Sequence, residues 1–322
     1  MRSIHEAPAD LADRTRIRTR LVLALEGADP WKSLAFHRLG GNDRGTTRRE
    51  GRFDKVFRGA HGPARVTITA HPSERGQVIV ELESSEQDHD ALVRMAPEIV
   101  GIADRGELVI PEGADPKRVL RDARLRARGL RLVRVPWLYE LLVLVVIQQR
   151  VAHPDAMASH RFLLRRHGTP YSEGDPTLLF PSPLALSRMS PEAFRDAGID
   201  RERAERLRTV GRLAKHLPRI AAMPFAEARA TLAKVPGLGP WTVEHFLGAG
   251  LADADAVPTA DYWYPHTVAY ALAGQERADD ARMLELLEPF RPQRYRVLLW
   301  LMAAGVGPVR HGPRMKRPGP PR

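Results

Sequence analysis

The stretch VPGLGPWTVEHF, Val235 to Phe246, decides how this sequence folds. The run TLAKV before it ends one helix pattern. Pro236 with Gly237 and Gly239 then makes a turn that ordinary residue pairs hold poorly, because glycine accepts positive φ and lets backbones approach closely. Pro240 suits the first turn of the next helix, where its missing N–H costs nothing. The spacing therefore predicts a helix–hairpin–helix over about 226–250. Its amides around Gly237, Leu238 and Gly239, with the N-terminus of the second helix, are expected to face outward as an anion site. Such a site fits a backbone phosphate and positions a nucleic acid without reading its sequence. A plain corner between two helices with a glycine turn would use the same residues.

Charge points the same way. The chain has 322 residues, with 50 Lys plus Arg against 39 Asp plus Glu, a net charge of +11. Nearly all the positive charge is arginine, which suits a polyanionic partner. A GC-rich genome would enrich arginine as well. There is no cysteine, which excludes disulfides, thiolate zinc sites, iron–sulfur clusters and cysteine nucleophiles. The 12 histidines show no metal-binding spacing, so no metal and no cofactor is expected. MRSIHEAPADLADRTRIRTR lacks the apolar segment of a signal peptide. The longest apolar run, LYELLVLVVI (138–147), carries Glu140 and is too short to span a bilayer. A soluble, cytoplasmic, nucleoid-associated protein with no membrane partner is expected.

Working outward, the first third has strand character. RLVLAL (20–25), FDKVF (53–57), ARVTITA (64–70) and QVIVELE (77–83) are short and separated by Gly, Pro, Asn or Ser. ARVTITA alternates, which predicts one solvated face. Helix patterns lie near 30–39, 89–100 and 115–127. The fold class expected is α+β: an N-terminal antiparallel-sheet domain over 18–130, then an all-helical bundle over 131–310. Residues 1–17 read as an extension and 311–322 as a basic tail. From Pro136 onward strand signals stop and helical patterns follow closely. Leu138 to Gln149 reads as a central buried helix. Pro154 opens the next, which Gly168 stops. Ser-Pro-Glu at 190–192 and Asp200 mark two further starts.

The segment LAKVPGLGPWTVEHFLGAGLADADAVPTADYWYPHTVAYAL resembles the hairpin, Gly/Pro-rich loop and Asp signature of the helix–hairpin–helix DNA glycosylase superfamily. Within it, the sequence is most similar to the 3-methyladenine (alkylpurine) DNA glycosylase II family. The run RGLRLVRVPWLYELLVLVVIQQRV resembles that family's entry to its first core helix. FPSPLALSRMSPEAFRDAGIDRERAERL resembles its middle helices. The resemblance covers roughly residues 18–312; the hairpin–Asp block is its specific part, and the N-terminal match is weak.

The resemblance implies a role for each of several residues. Asp261, at the end of AVPTADYW, is the implied catalytic carboxylate, although an Asp before an aromatic also serves as a helix cap. Asp253 and Asp255 read as surface loop residues. Trp241 stands where glycosylases that also cut the backbone carry a nucleophilic lysine, which implies base removal without strand cleavage. Trp241, His245, Tyr262, Trp263 and Phe290 are the candidates for an aromatic pocket, each of which could equally be core. His245 departs from the aromatic carbocycle of familiar members. Gly237, Leu238, Gly239, Thr242, Gln149 and Arg150 are the candidate DNA contacts, with Arg150 in the wedge position that fills the stack after a base is flipped. The family's wedge is apolar, and a phosphate-contacting arginine is the alternative. The expected partner is damaged double-stranded DNA, bound by a monomer. The alternatives are a glycosylase for an oxidised or deaminated base, a non-catalytic hairpin module that binds DNA structure, and, more weakly, an RNA-binding protein.

Overall fold

The computed structural model describes residues 16–37, 44–106 and 118–308. Five antiparallel strands open the chain: β1 (Arg16–Ala24), β2 (Thr46–Arg49), β3 (Arg52–Arg58), β4 (Pro63–Ala70) and β5 (Gln77–Ser85). Strands β2 to β5 form a meander, and β1 pairs with the free edge of β5 to give the order β1-β5-β4-β3-β2. Register follows burial. Val66 pairs with Leu82 and Ile68 with Val80, all on one face and all 0–1% exposed. The four strand runs read from the sequence are present. β2 is additional; its TTRR has no apolar alternation to betray it.

Helix α1 (Pro30–Ser33) is a single turn, and α2 (Glu86–Ile99) packs back on β5 and β1. α3 (Arg118–Arg126) lies against the last helix of the bundle. The bundle follows as α4 (Leu138–Ile147), α5 (His153–His167), α6 (Pro183–Arg188), α7 (Pro191–Asp196), α8 (Arg201–Leu213), α9 (Leu217–Ala221), α10 (Phe225–Ala233), α11 (Pro240–Leu251), α12 (Tyr264–Ala273), α13 (Asp280–Leu287) and α14 (Arg294–Ala303). The starts of α6, α7 and α8 are capped by Ser182, Ser190 and Asp200, each accepting from the amide three residues on. α4 is the hub. Its residues 139 to 147 are all buried, as an apolar run with no polar face requires.

One hydrophobic core runs from the sheet into the bundle, joining Phe53, Phe57, Val66 and Val80 to Trp137, Leu142 and Phe246. The junction contains a buried ion pair, Lys55 on β3 with Glu140 on α4, each 3% exposed. The expectation of a solvated second sheet face is corrected. Thr67 is buried, and Arg65 pairs with Asp54 at 2.9 Å and with Asp175 at 2.7 Å. A two-residue ladder, β6 (Thr169–Pro170) with β7 (Leu178–Leu179), lies over that face and seats Tyr171 and Leu179 on Val56. Strand structure therefore does not stop entirely at Pro136. Residues 1–15 of the expected extension, residues 38–39 and 115–117 at the edges of two expected helices, and the basic tail 311–322 lie outside the described residues.

Candidate active site

The turn between α10 and α11 is tight because each of its groups has a defined task. The Leu238 amide donates to Val235 O at 3.1 Å, closing the hairpin. The Leu238 side chain is 4% exposed and plugs the core beneath it. Gly237 has φ +86, and a Cβ there would stand 2.5 Å from Arg206 Cγ. The expectation that both glycines serve a positive φ is corrected: Gly239 has φ −74, which any residue adopts, and a Cβ there would meet nothing within 4 Å. Its place at the N-cap of α11 leaves the first turn without a side-chain cap. The amides of Gly237, Gly239, Trp241 and Thr242 have no partner among the described residues. Exposed Lys234 lies in the same turn, so unpartnered N–H groups and a positive charge stand together there.

The side chains of two expected DNA contacts, Thr242 and Gln149, are engaged with the hairpin itself. Thr242 is 1% exposed, and its hydroxyl accepts from Gln149 Nε2 at 2.7 Å. Gln149 also donates to Gly237 O at 3.2 Å and accepts from Arg206 Nη1 at 2.6 Å. Both side chains brace the hairpin, so they are not free for phosphate. Arg150, next in the chain, is exposed and approaches Glu202 on α8. Its side chain is 84% exposed and its backbone is left-handed at φ +57, a strained state for a non-glycine residue.

The loop from α11 to α12 carries Asp261. Asp253 and Asp255 are not surface residues, as their sequence reading had them. Arg229 Nη2 donates to Asp253 at 2.6 Å and, through Nε, to Glu244 at 2.5 Å; Arg294 Nη2 donates to Asp255 at 2.6 Å. These arginine clamps tie the loop to α10, α11 and α14. Beyond them Ala260 is left-handed at φ 62, and its amide donates to Asp280 Oδ2 at 2.7 Å. That kink delivers Asp261 to the start of α12.

The Asp261 carboxylate accepts three hydrogen bonds. Trp241 Nε1 donates to Oδ2 at 2.8 Å, and the amides of Trp263 and Tyr264 donate to Oδ1 at 2.7 and 3.0 Å. One oxygen thus holds the first amide of α12, and the other holds the Trp241 indole. His245 sits with its ring 4.5 Å from that of Trp241 and 5.5 Å from that of Tyr264. Burial holds His245 down to about 4, against the opposing pull of the Asp261 charge, so it is neutral at physiological pH. Burial likewise pushes the Tyr264 hydroxyl well up, and it stays protonated.

Two ring groups flank Asp261: Trp241 with His245 and Tyr264, and Tyr262 with Trp263 and His266. Tyr262 is 54% exposed and stands edge-on to Trp263 at 4.9 Å. Phe290 is not joined to them by any ring contact among the described residues; it is 4% exposed and lies in the core. Tyr264 was missed, because its backbone amide rather than its side chain type puts it at the carboxylate. Among the described residues no cluster of three or more His, Asp or Glu could hold a metal, and no helix is long and apolar enough to cross a membrane.

No family model matches the chain. Known relatives exist nonetheless. The chain is 29% identical over 217 residues to the "probable bifunctional transcriptional activator/DNA repair enzyme AlkA" of Mycobacterium tuberculosis, covering 66% of this chain and 42% of that protein. It is 24% identical over 185 residues to a DNA-3-methyladenine glycosylase of Bacillus subtilis, covering 55% and 60%. The chain therefore spans about half the length of these relatives. In fold it matches a 3-methyladenine DNA glycosylase from Archaeoglobus fulgidus with a TM-score of 0.71 at 19% identity, over 87% of this chain and 96% of that one. It also matches the 8-oxoguanine glycosylase/lyase of Clostridium acetobutylicum with a TM-score of 0.64 at 14% identity, over 90% and 98%. The chain shares its fold with these solved DNA glycosylases. The sequence relatives carry the names AlkA and DNA-3-methyladenine glycosylase, in line with the family that the hairpin and the Asp261 loop resemble.

Proposed function

We propose that this protein is a monofunctional DNA glycosylase that removes alkylated purines of the 3-methyladenine type and leaves an abasic site. The observation that carries the reading is the hydrogen-bonded Asp261 carboxylate, held by Trp241 and the α12 amides one loop away from an uncapped hairpin. A glycosidic carbon cannot be reached inside a stacked duplex, so the nucleotide is flipped out at about a few kcal/mol, least for a damaged base. The hairpin amides and Lys234 hold backbone phosphates, and Arg150 enters the gap left in the stack. Cleavage builds positive charge on the sugar. Asp261 stabilises that charge and orients the attacking water.

An alkylated purine already carries positive charge and leaves readily. The site need only select it, by stacking and cation–π attraction on the faces of Tyr262, Trp263 and Trp241. Neutral His245 adds no repelling charge. Trp241 has no amine, so no Schiff base can form at that position. The second reading, an 8-oxoguanine enzyme, is favoured only by the fold match to such an enzyme.

The test is a panel of duplexes carrying methylated purines, 8-oxoguanine or hypoxanthine, each incubated with and without borohydride. Release of methylated purines, with strands intact until alkali and no covalent adduct after borohydride, is the expected result. A borohydride-trapped adduct, or release confined to 8-oxoguanine, overturns the proposal. Tight binding with no release from any duplex points to a binding module instead.

A further inference from the structure

We infer that Gln149 is a positioning residue that locks the wedge turn to the hairpin, so that phosphate grip and wedge insertion occur at a fixed spacing. The inference rests on the reading of Arg150 as the wedge. Its evidence is separate from that reading. The Gln149 amide makes three hydrogen bonds: Nε2 donates to Thr242 Oγ1 at 2.7 Å and to Gly237 O at 3.2 Å, and Oε1 accepts from Arg206 Nη1 at 2.6 Å.

Each partner is itself held. The Thr242 side chain is buried in α11. The Arg206 stem lies so close to Gly237 that a Cβ there would stand 2.5 Å from Cγ. Arg206 Nη2 pairs with Glu202 on α8, and Glu202 Oε2 stands 4.0 Å from Arg150 Nη1. The contacts therefore run from the hairpin through Gln149 and Arg206 to α8, and back to the wedge side chain.

Strain gives this circuit its purpose. Arg150 has φ +57, in the left-handed region where a side chain's Cβ crowds the backbone and a non-glycine residue is strained. Such a conformation persists only where its surroundings over-determine it. The turn offers weak support of its own: the Val151 amide reaches Gln148 O at 3.4 Å. The three hydrogen bonds of Gln149, one residue before Arg150, supply the constraint. Hairpin and wedge lie on segments 88 to 93 residues apart in the chain, and one amide side chain ties them together.

The test uses Gln149→Met, which keeps length and loses the polar contacts, and Arg206→Met as a second variant. Single-turnover release is measured from a duplex with one paired N7-methylguanine, and from the same lesion in a bulge with no opposite nucleotide. The bulged base needs no wedge to hold it out. Both variants are expected to release the paired lesion about tenfold more slowly, since small misplacements near a reacting site carry large rate penalties. Release from the bulge and affinity for undamaged duplex should stay within about threefold of wild type, because the phosphate grip remains. Unchanged release from the paired lesion, or an equal loss on both substrates, overturns the inference. If one variant fails to fold, as judged by thermal melting, the other decides. Wild-type protein that releases no base from either substrate overturns the glycosylase reading itself, a result distinct from a failure at Gln149.

Discussion

Asp261 combines two tasks that a sequence shows only one at a time. Its oxygens cap α12 and accept the Trp241 indole N–H. Asparagine can keep an acceptor for the capping amides while removing the negative charge. The asparagine NH2 cannot accept from the Trp241 indole N–H, so Asp261→Asn should cost about 1–2 kcal/mol, read from urea melts. A loss of several kcal/mol would mean that the carboxylate is mainly a structural prop. His37 and His245 make a second residue-level statement. Burial holds each at about 4; His37 is pushed down further by the nearby Lys55 charge, while the Asp261 charge pulls His245 the other way. The unfolded chain binds protons at both positions near pH 6.5, and the folded chain does not. Stability is thus present above pH 6.5 and is lost as pH falls towards 4, by about 2 kcal/mol per histidine at pH 5. His37→Phe should flatten part of that slope in melts at pH 7.5 and 5. An unchanged slope would place the pH sensitivity elsewhere.

At the scale of elements, the hairpin separates what the fold needs from what a ligand needs. Gly237 is demanded by the protein, through its positive φ and the Arg206 stem. Gly239 is not demanded by anything in the described structure. Gly237→Ala should cost about 1 kcal/mol or more of stability. Gly239→Ala should leave the melting temperature within a degree or two, yet weaken duplex binding about tenfold, because its methyl stands where a phosphate would approach the free amides. Equal binding by Gly239→Ala and wild type would remove the hairpin from the DNA interface. Much of this element was legible beforehand, since the prolines, glycines and Ser and Asp caps act within a few residues of themselves. What was not legible acts at a distance. Gln149 and Thr242 look like free polar groups until the fold sets them 2.7 Å apart. Asp253 and Asp255 look solvated until Arg229 and Arg294 arrive from other helices. α12 was hidden inside a loop-like Tyr-Trp-Tyr-Pro run, and its first amide is held by Asp261 from three residues upstream.

For the whole molecule, one continuous core makes the sheet a structural partner of the bundle. The Lys55–Glu140 pair marks that seam. Removing one partner strands a buried charge, so Lys55→Met should destabilise by about 3–5 kcal/mol, whereas the double change Lys55→Met with Glu140→Leu should recover most of it. Chemical denaturation of the three proteins tests this, and an additive double variant would contradict it. The fold class and the order of sheet then bundle were legible because the hydrophobic period changes at Pro136. The burial of the sheet's second face was not, because it depends on β6 and β7, which belong to the helical half.

The proposed chemistry stands or falls on Asp261 as the carboxylate of base removal. The most direct measurement is base release from methylated duplex DNA by wild type and Asp261→Asn at equal bound fraction, with the products separated by chromatography. Release of methylated purines by wild type, reduced at least about a hundredfold in Asp261→Asn with duplex affinity retained, is the result expected. Equal release by the two proteins would contradict the account and move the catalytic carboxylate elsewhere.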